Sequence, residues 1–408
     1  MSIAATTHSA ANTPITTAVY TTVLRTRFRG LDARDGLLIR GPAGWGEFCP
    51  FWEYDDAESL PWLRAAWEAA YVGWPTPVRN AIPGNVTVPA VGPEDAARIV
   101  RESGGCTTAK VKVAQRDRAG YLEPLDAEIE RLAVVRDALD AEIGTTVSAT
   151  ARVRQRGRAG ETNPSARATQ KPRAAAGGEI GIGDDESRAP GSAGPPAATG
   201  KIRIDANGAW TVEEALRRLR ELDRAAGGLE YVEQPCATVP ELAAVRRASN
   251  VPVAADEAIR RAADPMAVVR ADAADIIVLK VAPLGGVRAC LELADQVGRP
   301  VVVSSALESS VGIAAGLALA GALPELPYAC GLATVNLFAR DVADRPLLPV
   351  DGRIPVRPVA PDPQRLADVA APEDLSRRWR ERLARVAALG EPGEFRDLID
   401  ALTEVGDE

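Results

Sequence analysis

The chain has 408 residues, 46% of them apolar and 25% charged, enough for one large domain with a smaller one beside it. Its formal net charge of −8 argues against nucleic acid as a partner, and its least polar stretch, Val311 to Leu323, falls well short of the roughly 20 residues that a membrane-spanning helix needs. The single histidine, His8, sits in a polar leader, so histidine bases, serine–histidine triads and HExxH zinc chemistry are excluded and proton transfer is left to Lys, Asp, Glu, Tyr or Cys. Five scattered cysteines (Cys49, Cys106, Cys236, Cys290 and Cys330), odd in number and without a CxxC pair, are expected as reduced, buried thiols of a cytoplasmic protein. The N-terminus has neither the basic start nor the apolar run of a secretory signal.

Residues 17–30 alternate as a strand, Gly30 and 31–36 read as a turn, 36–41 form a second strand and GWGEF from Gly44 follows. Residues 58–73 have helical spacing. The first hundred residues therefore predict a small α+β domain. From Lys110 the texture changes to β-branched runs alternating with Ala/Leu/Arg helical runs. The expected strands are AKVKV (109–113), KIRID (201–205), LEYVEQP (229–235), VPVAAD (251–256), DIIVLK (275–280), PVVVSS (300–305) and a weaker one at 328–332. The helix opening at Thr211 carries Glu214 three places on, a capping-box pattern.

Asp205, Glu233, Asp256, Lys280, Ser304 and Gly331 each end one of these strands, at steps of 28, 23, 24, 24 and 27 residues. One βα unit per step predicts strands 3 to 8 of a (β/α) barrel over 101–340, with Lys112 ending strand 2. A doubly wound sheet is disfavoured because no G-x-G-x-x-G follows the early strands. The period breaks once, over the 93 residues from Lys112 to Asp205. There, after a helix, 145–199 is rich in Ala, Gly, Pro, Ser and Arg and nearly free of large apolar side chains, the composition of a structureless insertion. Its basic first part is expected as a solvated loop. After Ala339 the chain turns irregular and Pro-rich, then helical over 374–390, and 341–408 is expected to pack back on the N-terminal domain.

In a barrel the C-terminal strand ends share one mouth, so Asp205, Glu233 and Asp256 would converge. Three hard oxygen donors without a soft one suit Mg²⁺, with Mn²⁺ as a substitute. Lys110 and Lys112, two apart, share one strand face. Facing inward, each would lower the other's pKa toward that of a usable base. Facing outward, they would be solvated loop residues. Lys280, ending strand 6, would stand across the metal from Lys112. A substrate carboxylate between them would have one lysine to take its α-proton and another cation to steady the charge that develops. Arg203 shares the inward face of Asp205 and is open to substrate contact or to a structural ion pair. Ser304 and Ser305 suit a second substrate carboxylate, or a helix N-cap.

TTAKVKVA, RIDANGAW, YVEQPC, AADEAIR, IIVLKVAPLGG and VVSSALESSVG, with RFRG and GPAGWGEFCPFWEYDDAE before them, resemble the o-succinylbenzoate synthase family of the enolase superfamily, in its actinobacterial form. The likeness runs from about Leu24 to Leu337 apart from the insertion. It implies a (β/α)7β barrel under an N-terminal α+β capping domain, and a lyase of menaquinone biosynthesis that dehydrates 2-succinyl-6-hydroxy-2,4-cyclohexadiene-1-carboxylate to 2-succinylbenzoate. It assigns Asp205, Glu233 and Asp256 to Mg²⁺ and Lys112 as the acid/base. Lys280 becomes the opposed lysine that steadies charge, including by cation–π contact. Lys110, Arg203, Ser304 and Ser305 fall around the substrate, and the loops 25–30 and 48–55 over the mouth. The family pattern is departed from at Ala306, where relatives often carry serine. The implied partner is a small dicarboxylate; monomer and homo-oligomer are equally compatible with the sequence.

Neighbouring chemistries separate by residue type. Mandelate-racemase-like enzymes need a histidine on strand 7, which is absent. Dipeptide epimerases carry Asp-x-Asp at strand 8, where this chain has GLATVNLF. Muconate cycloisomerase and N-succinylamino acid racemase share the two-lysine arrangement and stand as alternatives on the same site. A binding protein that had kept only the barrel should have lost at least one of the five metal and lysine positions, and all are present.

Overall fold

The computed structural model describes residues 16–117, 119–159, 200–396 and Leu398, and for 145–159 the backbone alone. His8 and the insertion beyond Ala159 lie outside the described residues.

Strands β1 (Thr16–Phe28) and β2 (Leu31–Gly41) form a long antiparallel hairpin to which β3 (Gly44–Phe48) is added. The reversal takes only Arg29 and Gly30, with φ of 53° and 77°. Two positive φ values give the tight turn whose twist matches the strands it joins. The polar stretch 31–36, expected as a turn, is therefore strand: Arg34 pairs with Thr22 and Asp35 with Thr21. Cross-strand pairing here outweighs composition. Helix α1 (Asp56–Trp67) starts in a reciprocal cap between Asp55 and Glu58 and widens into a π turn over Glu68–Val72.

Strand β4 (Ala81–Pro83) precedes the barrel. The barrel strands are β5 (Val86–Val88), β6 (Thr108–Lys112), β7 (Lys201–Asp205), β8 (Leu229–Glu233), β9 (Val253–Ala255), β10 (Ile276–Leu279) and β11 (Val301–Val303), parallel and in chain order. Parallel bridges from Gly331 to Ser304 and from Cys330 to Gly84 form a minimal eighth position that joins the two edges. Strands β9, β10 and β11 are buried on both faces, which explains their unbroken Val/Ile/Leu/Ala character. Tyr231, Ala254, Ile276, Val278 and Val302 pack together as a separate small core, apart from the larger one beneath the helices.

Helices α2 (Pro93–Arg101), α3 (Leu125–Ala159), α4 (Val212–Ala225), α5 (Val239–Ala248), the short α6 (Glu257–Arg260) and α7 (Met266–Arg270), α8 (Val287–Val297) and α9 (Ser310–Ala322) fill the connections. Thr211 accepts from the Glu214 amide as the sequence predicts, while the Glu214 carboxylate turns to Arg217 and Arg218.

Two further expectations are corrected. The first barrel strand, β5, lies inside the stretch 1–100 assigned to the N-terminal domain; three residues are too few to register as a period. Helix α3 continues to Ala159, into the stretch expected to lack structure. Residues 145–159 hold no proline and several Ala and Arg residues, which favour continuing the helix. Among the described residues no helix is long and apolar enough to cross a membrane, and all five cysteines are free and buried.

Beyond the barrel, β12 (Arg353–Pro355) pairs with β4, and α10 (Pro363–Asp368) leads to α11 (Glu373–Ala387), which lies on β1, β2 and α1. Trp379 of α11 is fully buried, donates to Asp35 at 2.7 Å and meets Phe48 edge-on with centroids 5.8 Å apart. Arg382, also buried, gives hydrogen bonds to the carbonyls of Pro50, Phe51 and Tyr54 and to the Ser59 hydroxyl.

Two acids of the N-terminal domain meet barrel helices at their N-termini, where free amides and the helix dipole favour negative charge. Glu68 accepts from the amides of Val287 and Arg288 at the start of α8. Glu47 accepts from the amides of Ser309 (3.1 Å) and Gly312 (2.8 Å) at the start of α9. The approach at α8 is close enough that a Cβ on Gly286 would stand 2.4 Å from the Glu68 carboxylate. Glu308 is buried beside Glu47, and burial together with that neighbouring charge pushes its carboxyl up to about 7.

Replacing Arg382 by Ala strands three buried carbonyls and is expected to cost about 3 kcal/mol in a denaturant titration. Because Glu308 holds its proton more tightly when folded than the ordinary glutamate value of 4.5, its contribution is fully present below that pH and is lost as pH rises through about 7. Glu308→Gln should therefore raise the melting temperature near pH 8 and flatten its decline from about pH 5, as thermal unfolding at both ends would register.

Candidate active site

Lys112 closes β6 with Lys110 two residues before it, Asp205 closes β7, Glu233 closes β8, and Asp256 and Lys280 directly follow β9 and β10. The chain leaves three of these strands through a non-glycine residue of positive φ: Ala114 (58°), Asn207 (47°) and Gln234 (41°). Such residues turn the backbone sharply away so that the strand's last side chain faces the mouth, at a local conformational cost. Gln234 recovers part of it: its side-chain oxygen accepts from the amides of Asp256 (2.9 Å) and Ala258 (3.2 Å), fixing the next strand end.

The six charged groups form two bonded sets, joined through Asn207, Glu257 and Arg260. Lys110 Nζ lies 2.9 and 3.2 Å from the two Glu233 oxygens, 3.8 Å from Asp205 and 3.3 Å from Ser304 Oγ. Lys112 Nζ bonds Asp205 and, at 2.8 Å, the Asn207 side-chain oxygen, and stands 5.4 Å from the centre of the Phe28 ring. Lys280 Nζ is 2.5 Å from Asp256, whose other oxygen accepts from Arg260 Nε at 3.0 Å. Arg260 in turn donates to the Tyr54 hydroxyl of the N-terminal domain at 2.6 Å.

All of these groups except Asn207 and Glu257 are less than 9% exposed, so their charges are strongly coupled. Burial and the adjacent Lys110 ammonium outweigh Asp205 and hold Lys112 below the ordinary lysine value. Burial acts on Lys110 too, but Glu233 and Asp205 overcome it and hold Lys110 above that value. Asp205 is drawn down to about 2 against its burial by Lys112 and Lys110. Glu233 is pushed up to about 7 by burial and by the charges of Asp205 and, more weakly, Asp256. Glu233 thus bears the repulsion of both other carboxylates.

Phe28, Arg29, Lys110, Lys112, Asp205, Asn207, Lys280 and the run Ser304–Leu307 are among the residues lining a narrow cavity of about 20 Å³. Glu233 and Asp256 do not line it; they are the partners of Lys110 and Lys280. Arg29 and Asn207 also line a wider cleft next to it, edged by Arg27, Arg116, Arg260 and Arg261.

The donor chemistry of the three acids, all oxygen and mutually repelling, fits a hard divalent cation. Among the described residues, however, no three such groups stand at ligand spacing; their separation here is set by the ammonium and guanidinium partners each carboxylate holds.

Eight of the nine residues singled out from the sequence come together. Arg203 does not. It is fully buried one step further down the inward face of β7, bonded to Glu230 (2.5 Å), Asn85 (3.2 Å) and the Ala329 carbonyl (2.7 Å), with its guanidinium 4.7 Å from the Tyr231 ring. Two residues along a strand is roughly 6.6 Å, enough to move a side chain from the mouth to the next interior layer. Ser305 shares its hydroxyl with Thr334 at 2.7 Å, and the N-cap of α9 is Ser309 rather than Ser304 or Ser305. The 25–30 loop reaches the cavity with Phe28 and Arg29, whereas 48–55 lies behind it, with Phe51 against Arg29 at 4.4 Å and Tyr54 bonded to Arg260.

Sequence reasoning missed Asn207 and Arg260. A signal existed for both: Asn207 follows a predicted strand end with Gly208 after it, a setting that tolerates positive φ, and Arg260 lies four places after Asp256, on the same face of a helical turn.

The comparisons with known proteins agree with this geometry. Residues 19–70 match the family model described as enolase N-terminal domain-like, and 192–362 match enolase C-terminal domain-like. Among solved structures, a muconate lactonizing enzyme from Pseudomonas fluorescens superposes with a TM-score of 0.61 at 17% identity, over 88% of this chain and 98% of that one. The L-Ala-D/L-Glu epimerase of Bacillus subtilis gives 0.59 at 18% identity, over 85% and 96%. At these identities the likeness is one of fold. The o-succinylbenzoate synthase of Thermobifida fusca is 52% identical over 91% of this chain and 96% of its own length. That of Mycolicibacterium smegmatis is 43% identical over 90% and 93%. At this identity and coverage the chain belongs to the o-succinylbenzoate synthase family of the enolase superfamily.

Proposed function

We infer that the chain is a lyase of menaquinone biosynthesis, dehydrating 2-succinyl-6-hydroxy-2,4-cyclohexadiene-1-carboxylate to 2-succinylbenzoate. The observation that carries the reading is that Lys112 and Lys280 line one cavity from β6 and beyond β10, four strands apart and so across the barrel from each other. The substrate's ring carboxylate belongs between them. Lys112, held by Asp205 and Asn207, takes the ring proton α to that carboxylate. The electron pair of the broken C–H bond forms the new ring double bond as the C–O bond breaks. The departing hydroxide takes the proton back from Lys112 and leaves as water, and the ring becomes aromatic. One lysine serves both transfers because proton and hydroxide leave from the same face.

Lys280 keeps its proton and sets its charge against the carboxylate from the other face. Lys110 holds Glu233 and Asp205 in place. The reaction is Mg²⁺-dependent. Asp205, Glu233 and Asp256 would hold the ion, which when bound supplies fixed positive charge to the substrate carboxylate. Ser304 and Ser305, on the wall beside Lys110, are suited to the succinyl end of the substrate.

The same opposed lysines favour a second activity, exchange of the α-proton of N-succinylamino acids between faces. Comparing kcat/KM for the cyclohexadiene substrate and for N-succinylamino acids on one preparation ranks the two; turnover of the latter alone would overturn the dehydration reading.

Lys112→Ala should lower kcat by about three orders of magnitude while far-UV circular dichroism stays unchanged; near-normal turnover would remove Lys112 from its role. Dialysis against a chelator should abolish activity and added Mg²⁺ restore it, and undiminished turnover of the metal-free protein would refute the three-acid assignment.

A further inference from the structure

The cavity wall that follows β11 is held from the N-terminal domain. Ser304 to Leu307 line the cavity, and Leu307 takes a φ of 68°, which a residue with a branched side chain rarely adopts. No glycine or asparagine in VVSSALESS favours that conformation locally, so its surroundings must impose it. Arg34 of β2, 2% exposed, donates from Nε to the Leu307 carbonyl at 3.0 Å and spends its other nitrogens on the carbonyls of Asp35, at 3.2 Å, and Cys49. Phe51 stacks on the guanidinium at 4.4 Å.

Two residues further on, Glu47 of β3 takes the amide and hydroxyl of Ser309 and the amide of Gly312, while Tyr20 donates to it at 2.6 Å. The fit is tight: a Cβ on Gly312 would stand 2.6 Å from Glu308 Cβ and 2.9 Å from the Glu47 carboxylate. The stretch is thus fixed at one end by the bond from the Ser305 amide to Gly331 (3.0 Å), at the other by Glu47, and at its strained residue by Arg34. Neither Glu47 nor Arg34 lines the cavity.

We propose that Glu47 and Arg34 are positioning residues: from the N-terminal domain they hold Ser304–Leu307 in the shape that receives the part of the substrate remote from the two lysines, and so govern substrate affinity and discrimination without touching the substrate. This rests on the dehydration reading above.

The test uses the full-length Mg²⁺-loaded enzyme and three variants. Glu47→Gln keeps size and one acceptor, Arg34→Met removes every donor, and Arg34→Lys restores one. In Glu47→Gln and Arg34→Met, KM for the cyclohexadiene substrate should rise roughly tenfold with kcat within about twofold. The kcat/KM ratio between that substrate and N-succinylamino acids should shift, and amides of 304–309 should exchange hydrogen faster. Arg34→Lys should fall between Arg34→Met and the parent. A lowered melting temperature with parental KM and ratio in the folded variants would overturn the proposal, as would an equal loss in kcat and kcat/KM. If Glu47→Gln fails to fold, Arg34→Lys alone decides by the same criteria. Parental turnover is the control for the reaction itself: where the parent is inactive, the dehydration reading fails, and unchanged exchange over 304–309 then overturns the positioning role separately.

Discussion

Charge compensation at the barrel mouth is the constraint to which the rest of the molecule answers. Three carboxylates are buried at successive strand ends, each almost fully removed from water. A lone buried carboxylate is so costly that it would protonate or drag water in with it. Here Asp205, Glu233 and Asp256 are met by Lys110, Lys112, Lys280 and Arg260, and the second Asp205 oxygen by the backbone amide of Asn207. The residual imbalance falls on Glu233, which feels both other acids and is left close to protonation near neutrality. That frustration is what a divalent cation would relieve. The ammonium groups that balance the acids in this structure are also the groups that would act on a substrate, so folding and chemistry draw on the same charges.

The N-terminal domain reaches this centre by another use of electrostatics. Glu47 and Glu68 are set against the starts of α9 and α8, where unsatisfied amides already seek an acceptor. Those two helices follow the strand ends that carry Ser304 and Lys280. A carboxylate docked at each helix start fixes the connection before it, so the position of the domain and the shape of two cavity walls become one variable. The left-handed Leu307, a conformation costing about 1–2 kcal/mol, persists only because both sides hold it.

Much of this was legible in the sequence because the barrel is periodic. Steps of 23 to 28 residues between chemically distinctive strand ends identify the architecture and bring eight of nine chosen residues to one place. What the sequence did not disclose was depth. Arg203 and Asp205 share a strand face, and alternation alone cannot tell the mouth from the layer below it; the tyrosine rings and the Asn85 side chain that claim Arg203 come from distant segments. Turns were misjudged where pairing outweighed composition, as in 31–36, and the first barrel strand was missed because three residues carry no period. The seam between domains was invisible for a related reason. Glu47 and Arg34 lie in unremarkable strands, and only the tertiary structure reveals that their partners are more than 260 residues away.

This arrangement separates two functions in space. On the proposed reading, proton transfer would depend on lysines anchored by carboxylates of the barrel itself, which the N-terminal domain meets through Tyr54 on Arg260 and through the Phe28 ring beside Lys112. The shape around the substrate depends on loops that the N-terminal domain grips. A barrel of this kind can therefore keep one reactive centre while its specificity is altered from outside, through residues that never meet the ligand. The constraint on such change is the seam: each gripping acid is buried against a helix start with no room for a larger neighbour at Gly286 or Gly312, so the two surfaces must alter together. On the positioning proposed for Glu47 and Arg34, substrate choice would be a property of how the domains meet, and the chemistry a property of how the strands end.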